Sequence, residues 1–233
     1  MAPQQVKEKR PSASDFEVDS QDLHLQSKMR ALQRVDGART GLTLLALLMG
    51  IAVLGVSADT LHVYDATSVP QGMQDVLPLW PQAFNLRPTV ALVVGAAFVV
   101  ITNVISIMCS RITIVRNRAL VHTSQSLAAP VVGLIAAVIA MIFFYAVNGS
   151  TSEDTLISWT CRWQALSMTE RPHFATLCKE SWAGLYLAIL LIPVEAAVLA
   201  AAVWQAKLEK YTSAYTCARD SRTPSPQPPR ETA

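Results

Sequence analysis

Residues Thr89–Cys109 read TVALVVGAAFVVITNVISIMC, twenty-one residues without a charge. A helix needs about 20 predominantly apolar residues to cross the ~30 Å hydrocarbon core of a bilayer. Inside lipid each backbone N–H must be paired within its own segment, so this stretch is expected to be a transmembrane helix. Three more segments read the same way: Gly41–Ala58, Leu127–Val147 and Ala183–Trp204. The first has 18 residues, and Leu61, Val63 and Tyr64 extend its apolar character beyond Asp59. The expected fold is therefore an all-α integral membrane protein. It is a four-helix transmembrane bundle with two extracytoplasmic loops and disordered cytoplasmic tails.

Composition agrees with this reading. Of 233 residues, 52% are hydrophobic and 15% charged, and the spans hold almost none of the charge. A net charge of +2 is too small to point to nucleic acid. No cleavable signal peptide is expected, because residues 1–40 are polar. Lys and Arg divide 15 to 4 between two groups of segments. The larger group comprises the N-terminal tail, the middle loop with Arg111, Arg116 and Arg118, and the C-terminal tail. By the positive-inside rule both termini are expected in the cytoplasm. The bilayer is then the first partner, in the plasma membrane or a secretory-pathway membrane.

Along the chain, 1–20 is expected to be a disordered tail. Residues 21–40 form a juxtamembrane basic segment, and 41–205 the four-span domain. Residues 206–233 form a second tail, disordered at its proline-rich end, Thr223-Pro-Ser-Pro-Gln-Pro-Pro229. Asp59–Pro88 makes the first outer loop, with turn formers at Pro70, Gly72, Pro78 and Pro81. Trp80 is expected in the headgroup zone. Asn148–Trp182 makes the second outer loop. The short middle loop, Ser110–Ser126, makes the second and third helices antiparallel neighbours.

Within the second outer loop, Trp159-Thr-Cys161-Arg-Trp163 is followed by Cys178. An oxidising outer face favours a disulfide between Cys161 and Cys178. It closes a loop worth about 3 kcal/mol in the chain-entropy treatment. Trp80, Trp159, Trp163 and Trp182 then offer an outer-loop aromatic surface for other membrane proteins or a second copy of the chain. Cys109 and Cys217 are juxtamembrane and are candidate palmitoylation positions, against the plainer reading of reduced thiols.

Glu195 stands near the middle of the fourth span, in Leu191-Ile-Pro-Val-Glu195-Ala-Ala. An acid at that depth costs about 2.5 kcal/mol or more and is expected to face the bundle interior. Thr102 and Asn103 lie at comparable depth on the second span. Counted from the outer boundaries, the offset between Asn103 and Glu195 is roughly 3 Å at 1.5 Å rise per residue. A polar clamp between helices is the expectation, with a proton or cation relay as the alternative. Small residues recur four apart, at Ala46/Gly50, Ala91/Gly95, Ala196/Ala200 and most fully at Ala129/Gly133/Ala137. That spacing lets helices approach closely. Asn148-Gly-Ser150 matches a glycosylation sequon but starts at the end of a span, too near the membrane for use. His62 and Asp59 fall short of a metal site. The sequence holds no phosphate loop, catalytic carboxylate pair, metal-ligand cluster or nucleophile motif. No enzyme, cofactor, metal or small-molecule substrate is expected.

Several stretches resemble an uncharacterised family of fungal four-span membrane proteins. They are Gly55-Val-Ser-Ala-Asp59-Thr-Leu-His-Val-Tyr64, Leu77-Pro-Leu-Trp80-Pro, Leu86-Arg-Pro-Thr-Val90, Ser158-Trp-Thr-Cys-Arg-Trp163 and Leu191-Ile-Pro-Val-Glu195. The resemblance covers about residues 29–210. In topology the chain is also similar to MARVEL-type and occludin-like proteins. It lacks the Cys-Cys-Gly of tetraspanins and the claudin placement of tryptophan and cysteines in the first loop. The MARVEL likeness implies membrane apposition or microdomain organisation, by analogy of topology alone. The leading expectation is thus a non-enzymatic organiser of membrane or protein assemblies. A small transporter or channel subunit using Glu195 and Asn103 is the alternative.

Overall fold

The computed structural model describes residues 13–68, 79–81, 83–111, 119–150, 153–166 and 172–220. Among these residues five helices and two short strands follow in the order α1 (Ala13–Thr67), β1 (Phe84–Asn85), α2 (Arg87–Arg111), α3 (Ala119–Ser150), β2 (Asp154–Thr155), α4 (Leu156–Arg162) and α5 (Phe174–Asp220). Four helices are long and apolar enough to cross a membrane, and they contain the four apolar segments of the sequence. The helices outrun those segments. Residues 13–20, expected to be disordered, are helical, and so are Asp59–Thr67, expected in a loop. Once a helix is nucleated, each further residue adds one hydrogen bond, so a strong apolar segment extends into polar flanks that lack proline. The turn formers from Pro70 to Pro78, the proline-rich C-terminal end and the side chain of Cys217 lie outside the described residues.

The chain divides into two compact units. One is Met1–Gly37 with Trp204–Ala233, and the other is Ala38–Val203. In the first, the buried amide of Gln205 donates to Asp36 Oδ1 at 3.5 Å and Glu209 Oε1 at 3.0 Å. The second holds the spans and the disulfide, and its glycines show how the helices meet. A Cβ on Gly50 would lie 3.2 Å from Val100, one on Gly95 2.5 Å from Ala140, one on Gly133 3.0 Å from Glu195, and one on Gly184 3.6 Å from Ser57. Those contacts join α1 to α2, α2 to α3, α3 to α5 and α5 to α1, a closed ring of four helices.

Packing inside the ring fits a membrane rather than water. Ala46, Ala96, Ala137, Ala188 and Ala202 are buried, while Leu48, Phe98, Ile101, Ile139, Ile142 and Leu190 are exposed. Small side chains inward let backbones approach, and large apolar side chains outward suit acyl chains. In water so continuous an apolar surface would aggregate. The molecule thus has the features of a multi-pass membrane protein. Two apolar layers fill the ring. Val53, Leu92, Ala96, Met141, Phe144, Leu185 and Ala188 form one, and Ala46, Val99, Ala137 and Leu191 form the other.

Candidate functional site

Two places in the second unit concentrate polar or covalent chemistry: a buried carboxyl and the capped end of the bundle. Glu195 is fully buried on α5. Asn103 Nδ2, on α2, donates to Glu195 Oε1 at 2.7 Å and also to Val99 O at 3.0 Å. In the ring α2 and α5 stand at opposite corners, so this bond is a diagonal tie. Gly133 of α3 makes room for it. A Cβ there would stand 3.0 Å from Oε2, 3.1 Å from Cδ and 3.2 Å from Oε1. Gly133 was legible in the sequence as part of a small-residue stripe, but the stripe did not say what it faces. Here the missing side chain houses a carboxyl group. Among the described residues Glu195 Oε2 has no hydrogen-bond partner.

Thr102 does not join the pair. Its hydroxyl donates to Phe98 O at 2.9 Å and Val99 O at 3.1 Å, within its own helix. Adjacent residues on a helix point about 100° apart, so one of Thr102 and Asn103 faces the interior at the expense of the other. Pro193 sits inside α5, two residues before Glu195. One helical turn from the pair towards the disulfide end stand Val99, Ala137 and Leu191, joined there by Ala46. Each helix of the ring contributes to that apolar layer.

At the capped end, Cys161 of α4 and Cys178 of α5 form a disulfide, with Cα atoms 4.9 Å apart. Helix α4 is a short element that the sequence reading placed in a loop. Its start is built by Thr155 and Ser158. Ser158 N–H donates to Thr155 Oγ1, and Thr155 N–H donates to Ser158 Oγ, a reciprocal capping box. Thr155 Oγ1 in turn donates to Asn148 Oδ1 at 2.8 Å, and Asn148 Nδ2 donates to Phe144 O at 2.9 Å. The amide nitrogen of Asn148 thus bonds within its own helix.

Trp80 is a correction to the sequence reading. Expected at the headgroup zone and on an aromatic surface, it is buried at 6% exposure. Its ring packs edge-on to Tyr64, Phe84 and Phe174 at 5.0, 5.4 and 5.6 Å between centroids. Its Nε1–H donates to Thr67 Oγ1 at 3.0 Å. Tyr64 stacks on Phe84, and Val63 and Leu177 complete the cluster. A tryptophan whose one donor finds an acceptor loses nothing by burial and gains its full apolar area. Trp159 is half-buried against this cluster, 5.6 Å from the exposed Trp163. Trp182 is exposed and stacks on Tyr186.

A two-residue parallel pairing, Phe84 with Asp154 and Asn85 with Thr155, joins the two loops. Nothing in the sequence pattern announced it, since two residues carry no period. Asp154 then receives Arg162 Nη2 at 3.0 Å, a surface pair worth under ~1 kcal/mol. Cys109 is a half-buried free thiol near the far end of α2. His62 and Asp59 belong to no group of three metal-ligating side chains among the described residues. Comparison with known proteins finds no family model, no curated protein and no solved structure that the chain matches.

Proposed function

We propose that the protein is a non-enzymatic four-span organiser of membrane or protein assemblies, acting through its disulfide-stapled end. The observation that carries this reading is the construction of that end. A covalent bridge and an interlocked ring cluster hold α4 rigid, while Trp163 and Trp182 stay 40% and 43% exposed. Rigid exposed aromatics bind partners at low entropic cost. With both tails in the cytoplasm, as the 15-to-4 Lys and Arg division favours, this end faces outward. MARVEL-like proteins supply a topological analogy for such a role.

The test is a photo-crosslinking residue at Trp163 in native membranes. The expected result is a discrete protein adduct that disappears in the Cys161→Ser/Cys178→Ser variant. An adduct no stronger than at the lipid-facing position Ile139 would overturn the reading. Terminal tags should resist protease on intact cells; digestion of either tag would reverse the orientation.

A second reading, transport of protons or cations, is favoured by one observation: the buried Glu195 Oε2 without a hydrogen-bond partner among the described residues. Against it stands the apolar layer of Ala46, Val99, Ala137 and Leu191 beside the carboxyl. Purified protein in liposomes should show no flux above empty vesicles. Flux abolished by Glu195→Gln, with the fold intact by melting, would promote transport.

A further inference from the structure

Between α2 and α3 runs a cleft of about 1150 Å³. Its floor is made of small residues, Ala91, Gly95, Ala136 and Ala140, where the two backbones come close. Its walls are the large apolar side chains of Val94 and Phe98 on α2 and Ile135, Ile139 and Phe143 on α3, all exposed. The cleft extends along α2 from Arg87 to Phe98. At 1.5 Å rise per residue that is roughly 16 Å. Along α3 the lining runs from Val132 to Ser150, roughly 27 Å at the same rise. The groove is thus long enough to seat an extended acyl chain.

The mouth is charged at two points. Arg87 opens α2, and Glu153 follows α3; both are exposed lining residues. The pairing of Phe84–Asn85 with Asp154–Thr155 brings their two segments together at that opening. Asp154 is committed to Arg162. Among the described residues neither the Arg87 guanidinium nor the Glu153 carboxylate forms an ion pair, with the other or with anything else. A cation and an anion held apart at the head of an apolar groove match the charges of a zwitterion attached to hydrocarbon. A guanidinium suits phosphate oxygens, and a carboxylate accepts from a primary ammonium. A quaternary ammonium has no hydrogen to donate there.

We infer that the α2–α3 groove binds one glycerophospholipid with a primary-amine zwitterionic headgroup. Its phosphate lies on Arg87, its ammonium on Glu153, and one acyl chain on the small-residue floor. The site is separate from the aromatic face invoked above, and its occupancy does not depend on any protein partner.

The experiment is native mass spectrometry of the full chain in detergent. Phosphatidylethanolamine, phosphatidylcholine and phosphatidylglycerol of identical chains are titrated in turn. One phosphatidylethanolamine should be retained about tenfold more tightly than the other two, the order expected of one charge-assisted hydrogen bond. Glu153→Gln should remove that preference, and Arg87→Gln should weaken retention of all three lipids, neither changing melting in lipid-free detergent, since both side chains are exposed. Ala91→Leu should displace the lipid by filling the floor. A photoactivatable acyl chain should label the peptides around Phe98 and Ile139. Equal retention of the three lipids overturns the inference, as does wild-type retention in the double charge variant. Labelling confined to other helix faces also overturns it. So would protein–protein crosslinks through Ile139 in place of lipid, which would give the groove to a helix.

Discussion

At the disulfide end, Trp80 is surrounded by three rings, donates to Thr67, and lies under a helix tied covalently to α5. Inside the ring of helices, Glu195 receives a single hydrogen bond among the described residues, from Asn103, in a space left by one glycine. The first region is cross-braced, so several contacts must fail before it opens. The second is a single tie in a place where water is no alternative partner. Removing apolar bulk should therefore hurt most at the cap, and changes of shape should matter most at the carboxyl.

The largest effect is expected from Trp80→Ala, which empties the centre of the ring cluster. Large-to-small changes of this kind cost about 3–5 kcal/mol. Thermal melting in detergent measures it, and Trp80→Phe should recover most of the loss. If Trp80→Ala melts like the parent, the cluster is not what holds the cap. Next comes Cys161→Ser/Cys178→Ser, expected to cost about 3 kcal/mol by loop closure. The same loss should appear in the parent on adding reductant and not in the variant. A parent indifferent to reductant, or labelled by a membrane-impermeant thiol reagent at either cysteine, would contradict the pairing.

A smaller effect, about 1–3 kcal/mol, is expected from Gly133→Ala, because its Cβ crowds the buried carboxyl. Combining it with Glu195→Asp, which is one carbon shorter, should cost less than the two changes added. A double-mutant cycle measures that coupling. Strict additivity would mean that Gly133 and Glu195 do not share the space. The smallest effects sharpen the comparison at Glu195 itself. Glu195→Leu should cost about 0.5–2 kcal/mol, the range for an interhelical hydrogen bond in a membrane. Glu195→Gln keeps an acceptor of nearly the same shape and should leave melting unchanged. A large loss of stability in Glu195→Gln would show that the charge or the proton, not the hydrogen bond, holds α2 to α5.

The four apolar segments were legible because their period is irrelevant: length and apolarity alone force a helix in lipid. The depth of Asn103 and Glu195 was legible as well, since helical rise converts residue counts into ångströms. The sequence also put Cys161 and Cys178 in one loop, where the redox environment favours a bond. Three things needed the tertiary structure. Which of two neighbouring polar residues faces inward depends on helix rotation, so Asn103 meets Glu195 while Thr102 bonds to its own helix. Whether a tryptophan is surface or core depends on what the other loops bring to it, so Trp80 is enclosed by residues from α1, β1 and α5. The mouth formed by Arg87 and Glu153 exists only because a two-residue strand pairing joins segments some seventy residues apart. Local sequence fixes what a segment can become, through backbone hydrogen bonding and transfer energy. Rotation, burial and long-range pairing follow from packing against segments that no local pattern names.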